Sequence, residues 1–168
     1  EFVWVLDPID GTKAFVTGKP LFGTLIGLTH EGRPVLGVID QPILGERWIG
    51  VQGQASTFNG EATSVRACAG LAGAWAYATS PDMFAEGEEA DGFARLKARV
   101  KHMLYGADCY AYGLLASGFV DLVCEADLQP YDYCALVPVV AGAGGVITDW
   151  EGRELNLGSG GRVLAAGD

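Results

Sequence analysis

The stretch Phe2-Val3-Trp4-Val5-Leu6-Asp7-Pro8-Ile9-Asp10-Gly11-Thr12 decides how this chain is read. Phe2 to Leu6 is a continuous apolar run and reads as a buried strand. Asp7-Pro8 ends it, because proline fixes its own φ, removes a backbone donor and pushes the preceding residue toward extended geometry. A turn at Ile9 is expected to bring Asp10 back toward Asp7 and to leave the Ile9 carbonyl free. Two carboxylates and a carbonyl are hard oxygen ligands, suited to Mg²⁺ or Mn²⁺ and not to zinc. If Asp7 bridges, two cations roughly 3.5–4 Å apart become possible, the geometry of two-metal phosphate chemistry. Gly11 lets the backbone approach an anion, and the N–H groups of Gly11 and Thr12 at a helix start can take phosphate oxygens. The Thr12 hydroxyl is placed to orient a metal-bound water. The dipeptides taken alone also read as an ordinary turn with Thr12 as an N-cap.

Composition narrows the classes. The chain has 168 residues, 49% hydrophobic and 19% charged, enough for one domain or two small lobes with a packed core. Its net charge of −10 repels a nucleic-acid backbone, so nucleic acid is excluded as a partner. A small phosphorylated substrate remains compatible, since bound cations invert the local field. No apolar run is long enough to span a bilayer and no signal-like segment opens the chain, so no membrane partner and a cytoplasmic location are expected. Cys68, Cys109, Cys124 and Cys134 form no CxxC pair and read as buried, reduced thiols. His30 and His102 are isolated, which argues against a histidine-based metal site.

Up to about residue 70 the pattern is a β-meander. Leu21 to Thr29 and Pro34 to Asp40 flank the hairpin signal His30-Glu31-Gly32-Arg33, Gly45 to Val51 is a further strand, and Asn59-Gly60 is a hairpin corner. Strands and helices alternate beyond that point. Residues 1–70 are therefore taken as a β-rich lobe carrying the metal and phosphate motif, and 71–168 as an α/β lobe. In the second lobe, Glu86 to Asp91 reads as a solvated acidic loop, Tyr110 to Ser117 as a helix closed by Gly118, and Phe119 to Glu125 as a strand. Tyr131 to Ala141 reads as one helix, stopped by Gly142-Ala143-Gly144-Gly145.

Trp4-Val5-Leu6-Asp7-Pro8-Ile9-Asp10-Gly11-Thr12-Lys13-Ala14-Phe15 resembles the first signature of the inositol monophosphatase superfamily. Pro130-Tyr131-Asp132-Tyr133-Cys134-Ala135, followed by the glycine cluster at 142–145, resembles its second, with Tyr131 where the family usually has Trp. The resemblance implies a layered α/β sugar-phosphatase-like fold and Mg²⁺-dependent, Li⁺-sensitive hydrolysis of a phosphomonoester, with two or three metal ions in an intact enzyme and a homodimeric assembly. Residue by residue, it makes Asp7 a bridging metal ligand, the Ile9 carbonyl a ligand of one metal, and Asp10 and Asp132 ligands of another. Gly11 and Thr12 would bind phosphate, and Thr12 with Asp7 would serve the attacking water. Glu125, seven residues before Asp132, would contact the non-phosphate part of the substrate.

The segment from Asp108 to Asp132 is closest in appearance to the histidinol-phosphate phosphatase branch. Asp108, Glu125 and Asp127 suit a cationic leaving group better than a neutral polyol. The expected activity is thus histidinol-phosphate hydrolysis, in histidine biosynthesis. Inositol 1-phosphate, or a bisphosphate or nucleotide phosphate, is the second reading, and a non-catalytic metal- or phosphate-binding fragment the third. The resemblance also places N-terminal helices, a Glu-Glu pair and an Asp upstream of the first signature and a helix beyond the last residues, so both ends read as cut. Residues 1–168 alone are then expected to bind Mg²⁺ weakly, to hydrolyse slowly, and to leave an apolar sheet face open to self-association.

Overall fold

Two sheets organise the molecule, a computed structural model that describes residues 1–168. The first is six-stranded and antiparallel throughout, in the order β1 (Phe2–Asp10), β2 (Gly23–His30), β3 (Arg33–Gln41), β4 (Glu46–Val51), β5 (Thr57–Phe58), β6 (Glu61–Ala62). The tip between β5 and β6 holds Asn59 and Gly60 at φ 49° and 87°, the left-handed pair that a tight two-residue hairpin needs. The second sheet is formed by β7 (Trp75–Ala78), β8 (His102–Tyr105), β9 (Leu122–Glu125), β10 (Val146–Thr148) and β11 (Val163–Ala166), in the order β10-β11-β9-β7-β8. β7 runs parallel to β8 and β9, whereas β11 is antiparallel to its neighbours.

Helices fill the space between the sheets. α1 (Thr12–Val16) follows the first signature, and α3 (Cys109–Ala116), α4 (Pro130–Tyr133) and α5 (Leu136–Gly142) form the central layer. α5 packs on β3 and β4 on one side and β10 on the other. One core thus runs from Leu25, Ile39 and Trp48 through Leu115, Leu136 and Val139 to Val163 and Ala165. A smaller cluster, with Ala76, Phe84, Phe93 and Cys124, covers the far face of the second sheet beneath α2 (Glu88–Lys97).

A row of glycines sets how near the helical layer comes to the first sheet. Gly27, Gly37 and Gly50 pair in register across β2, β3 and β4. A Cβ on Gly37 would lie 1.8 Å from the Ala135 carbonyl oxygen, and one on Gly50 would lie 2.3 Å from the Pro138 carbonyl. The helix backbone therefore rests directly on the sheet backbone, which carries Asp132 down to β1.

Four local expectations change. The run Phe2 to Leu6 forms a strand at the sheet edge that is not buried, with Phe2, Trp4 and Leu6 65%, 60% and 55% exposed. These side chains continue onto Ile49 as an uncovered apolar face, because every helix of the central layer lies on the other side of the sheet. Tyr131 to Ala141 splits into α4 and α5: Pro138 lacks an N–H for the Cys134 carbonyl and its ring crowds that group, so the ladder lapses while the backbone stays right-handed. The acidic stretch is no loop beyond Gly87. Glu88, Glu89 and Asp91 open α2, where carboxylates favour the positive end of the helix, and Glu89 also binds the Ala85 N–H and Arg162. Finally, Gly11, at φ 80°, is the N-cap of α1, and Thr12 is the first helical residue.

Candidate functional site

Asp7 and Asp10 meet through a β-bulge; the expected turn is absent. β1 continues to Asp10, where Asp7 pairs with Leu25 and Asp10 with Gly23, so β1 spends one residue more than β2 over that interval. Pro8 cannot donate to the ladder, and its carbonyl instead accepts the Thr24 hydroxyl at 2.9 Å. In a regular strand, residues three apart face opposite ways. The extra residue puts both carboxylates on the inner side of the sheet, the side of the buried Leu25 and Gly23.

Asp132 arrives from α4, and one oxygen from each of Asp7, Asp10 and Asp132 lies within 4.8 Å of the others. Each carboxylate is anchored by one backbone N–H: Asp7 Oδ1 by Ile9 at 3.0 Å, Asp10 Oδ2 by Cys109 at 2.7 Å, and Asp132 Oδ2 by Gln129 at 2.7 Å. Asp132 closes a capping box with Gln129, so it serves helix and site together. Asp10 caps α3 from another part of the chain, tying the signature loop to the second half of the fold. Burial pushes Asp10 up to about 7, with Asp108 and Asp132 adding repulsion, and pushes Asp132 up to about 6, with Asp7 adding to it. Three anchored hard-oxygen donors that repel one another fit a divalent cation. The Ile9 carbonyl accepts the Thr12 hydroxyl at 3.1 Å, which leaves the carbonyl its second lone pair and the hydroxyl its acceptor capacity.

Asp10 and Asp132 of the trio line a cavity of about 160 Å³ whose wall also includes Thr79, Met83, Asp108, Tyr112, Glu125 and Leu128. Glu125 is only 3% exposed at the carboxyl end of β9. It accepts the Thr79 hydroxyl at 2.6 Å and the Tyr112 hydroxyl at 2.9 Å, and no lysine or arginine contacts it. Burial pushes it up to about 7 against those two hydrogen bonds. Asp108 precedes α3 at φ 47°, a left-handed conformation uncommon outside glycine, and makes no side-chain cap bond. Its carboxylate lies against Gly11, where a Cβ would come within 3.2 Å of Asp108 Oδ2. Burial raises Asp108, with Lys13 and Lys19 opposing. The expected candidates therefore converge on one place. Asp127 does not line the cavity.

Sequence reasoning passed over Thr79, Tyr112, Met83 and Leu128. Two had a signal. Thr79 follows β7, and the carboxyl ends of parallel strands are where α/β sheets hold ligands. Tyr112 stands one helical turn after Asp108, on the same side of α3.

Comparisons with known proteins point to one family. The model of the inositol monophosphatase family matches residues 1–168. The bifunctional phosphatase IMPL2, chloroplastic, of Arabidopsis thaliana is 56% identical, over 100% of this chain and 50% of its own length. A histidinol-phosphatase of Chlorobaculum parvum is 33% identical, over 96% of this chain and 62% of its own length. A solved structure of an inositol monophosphatase from Zymomonas mobilis superposes with a TM-score of 0.98 at 51% identity, covering 99% of this chain and 66% of that one. The chain thus spans about half to two thirds of the length of these relatives. No helix is long and apolar enough to cross a membrane.

Proposed function

The chain belongs to the inositol monophosphatase family, and we propose that it carries the metal and substrate site of a Mg²⁺-dependent phosphomonoesterase acting on an ester with a cationic leaving group, histidinol phosphate first. The observation that carries this reading is the pairing of an anchored carboxylate trio with a cavity walled by two further carboxylates, Asp108 and Glu125. Asp7, Asp10 and Asp132 would hold the cation, with the Ile9 carbonyl beside them. Bound there, Mg²⁺ supplies positive charge for the phosphoryl oxygens and makes water a better nucleophile.

The chain's own groups divide the remaining work. The Gly11 and Thr12 amides at the start of α1 take phosphate oxygens, and the Thr12 hydroxyl, oriented by the Ile9 carbonyl, orients the attacking water. Asp108 and Glu125 recognise the leaving group. A polyol would present only neutral hydroxyls to the buried Glu125 and the half-buried Asp108, whereas an ammonium or imidazolium neutralises charge that burial penalises. The similarity to a histidinol-phosphatase supports this choice, and that to an inositol monophosphatase keeps inositol 1-phosphate as the second reading. Turnover of the two esters with Mg²⁺ tests it: a clear preference for histidinol phosphate is expected, and a clear preference for the inositol ester overturns it. The exposed face of Phe2, Trp4 and Leu6 supports self-association as a homodimer, which light scattering checks.

A further inference from the structure

We propose that Tyr112 is a positioning residue that acts through Glu125: its hydroxyl, together with that of Thr79, fixes the carboxylate so that its remaining acceptor capacity faces an N–H group of the bound ester. The proposal rests on the cationic-leaving-group reading and adds the device that makes it selective. Tyr112 is 1% exposed, and its hydroxyl has one partner, Glu125 Oε2 at 2.9 Å. Phenylalanine would fill the same space, so packing alone does not call for the oxygen. Glu125 Oε1 is held at 2.6 Å by Thr79, whose hydroxyl lies 3.4 Å from Asp108 Oδ1. The backbone is fixed as well: Glu125 pairs with Val163 in the β9–β11 ladder, and Trp150 Nε1 donates to its carbonyl at 3.2 Å.

Each oxygen of the carboxylate thus has one neutral donor and capacity for another. Both donors are hydroxyls from inside the fold, so neither neutralises the charge. The nearby cations Lys13 and Lys19 act on Asp108. Glu125 lines the cavity, so a ligand held there is what can take up that capacity. A donor bearing positive charge satisfies that capacity and the charge at once, whereas a hydroxyl satisfies only the first. Without the Tyr112 hydroxyl, Glu125 loses one of the two restraints on its orientation and one of the two hydrogen bonds that favour its charged form, and discrimination falls while phosphate binding stays.

The test measures binding and needs no turnover. Calorimetry in Mg²⁺ with 2-aminoethylphosphonate and 2-hydroxyethylphosphonate compares an ammonium with a hydroxyl on a non-hydrolysable frame. The wild-type chain is expected to prefer the ammonium about tenfold, the scale of one charge-assisted hydrogen bond. Y112F should lose most of that preference with the affinity for the hydroxyl ligand unchanged, and adding Y112F to Glu125→Gln should change nothing further. T79V removes the other donor and should behave alike, which covers a Y112F protein that fails to fold. A preference that survives both Y112F and T79V overturns the inference alone, as does an equal loss for both ligands in step with thermal stability. A wild-type chain without preference, unaltered by Glu125→Gln, overturns the leaving-group reading and the inference with it.

Discussion

Replacing Glu125 with glutamine should make the metal-free chain more stable at alkaline pH and leave it no more stable in acid. The folded chain holds the Glu125 proton far more tightly than an unfolded one, with the carboxyl moved from its ordinary 4.5 to about 7 by burial. Folding therefore takes up a proton between those two pH values, and stability falls as pH rises through that window. Above it, keeping the group charged and buried costs about 3 kcal/mol, at about 1.4 kcal/mol for each tenfold change in proton affinity. Glutamine removes the charge. Its one carbonyl can satisfy only one of the Thr79 and Tyr112 hydroxyls, which returns about 1 kcal/mol of the gain. The net is about 2 kcal/mol, or a rise in Tm of roughly 4–8 °C for a chain of this size. Thermal melts in chelator at pH 8 and pH 4 measure it. Destabilisation by E125Q at pH 8, or the same shift at both values, would refute the reasoning. The variant should bind a cationic ester worse, so that stability and recognition move in opposite directions.

Adding Mg²⁺ should raise the Tm of the wild-type chain, and Asp10→Asn or Asp132→Asn should remove most of that rise by taking a ligand from the trio. Titrated melts check it, and an undiminished rise in both variants would count against the site. Arg66→Ala should cost about 1–2 kcal/mol at pH 7, since the arginine side of the pair is 40% exposed. It takes two bonds of 2.6 Å from the buried Asp121, which keeps only the Trp75 N–H at 2.7 Å. Those bonds hold the Asp121 carboxyl below its ordinary value, so the cost should shrink as pH falls through the carboxylate range, which urea titrations at pH 7 and pH 3 would show. Gly37→Ala should cost about 3 kcal/mol or more, because its Cβ would lie 1.8 Å from the Ala135 carbonyl and the helix must lift. Asp132 rides on that helix, so the Mg²⁺ effect should weaken too, and a G37A chain of normal stability and metal response would contradict the close packing.

The two signatures were legible because chemistry and local geometry coincide in them. Asp-Pro, Asp-Gly and the Asp132 helix start are short-range features, and the structure brings their carboxylates within 4.8 Å. What escaped depends on contacts distant in sequence. Nothing near Gly27, Gly37 or Gly50 says that they align, since register is a property of three strands together. Phe2 to Leu6 reads as buried because hydropathy reports a preference, not which side of a sheet the helices occupy. The lapse after α4 follows from Pro138, which was visible but outweighed by the apolar run around it. Thr79 and Tyr112 carry no motif, and they matter only where the carboxyl ends of β7 and β9 meet α3.

The bulge in β1 has a consequence of a different kind. Even pairing of β1 with β2 past Asp7, with no residue bulged out, would give an unbroken ladder, a change that the sheet itself would welcome. It would also turn Asp10 to the outer face, strip α3 of its cap and open the carboxylate trio with every acidic residue still in the sequence. A count of conserved acids would score such a chain as intact. The site's identity is thus held as a register, the one extra residue of β1 across Pro8 and Ile9, and it can be lost by a slip without a single substitution.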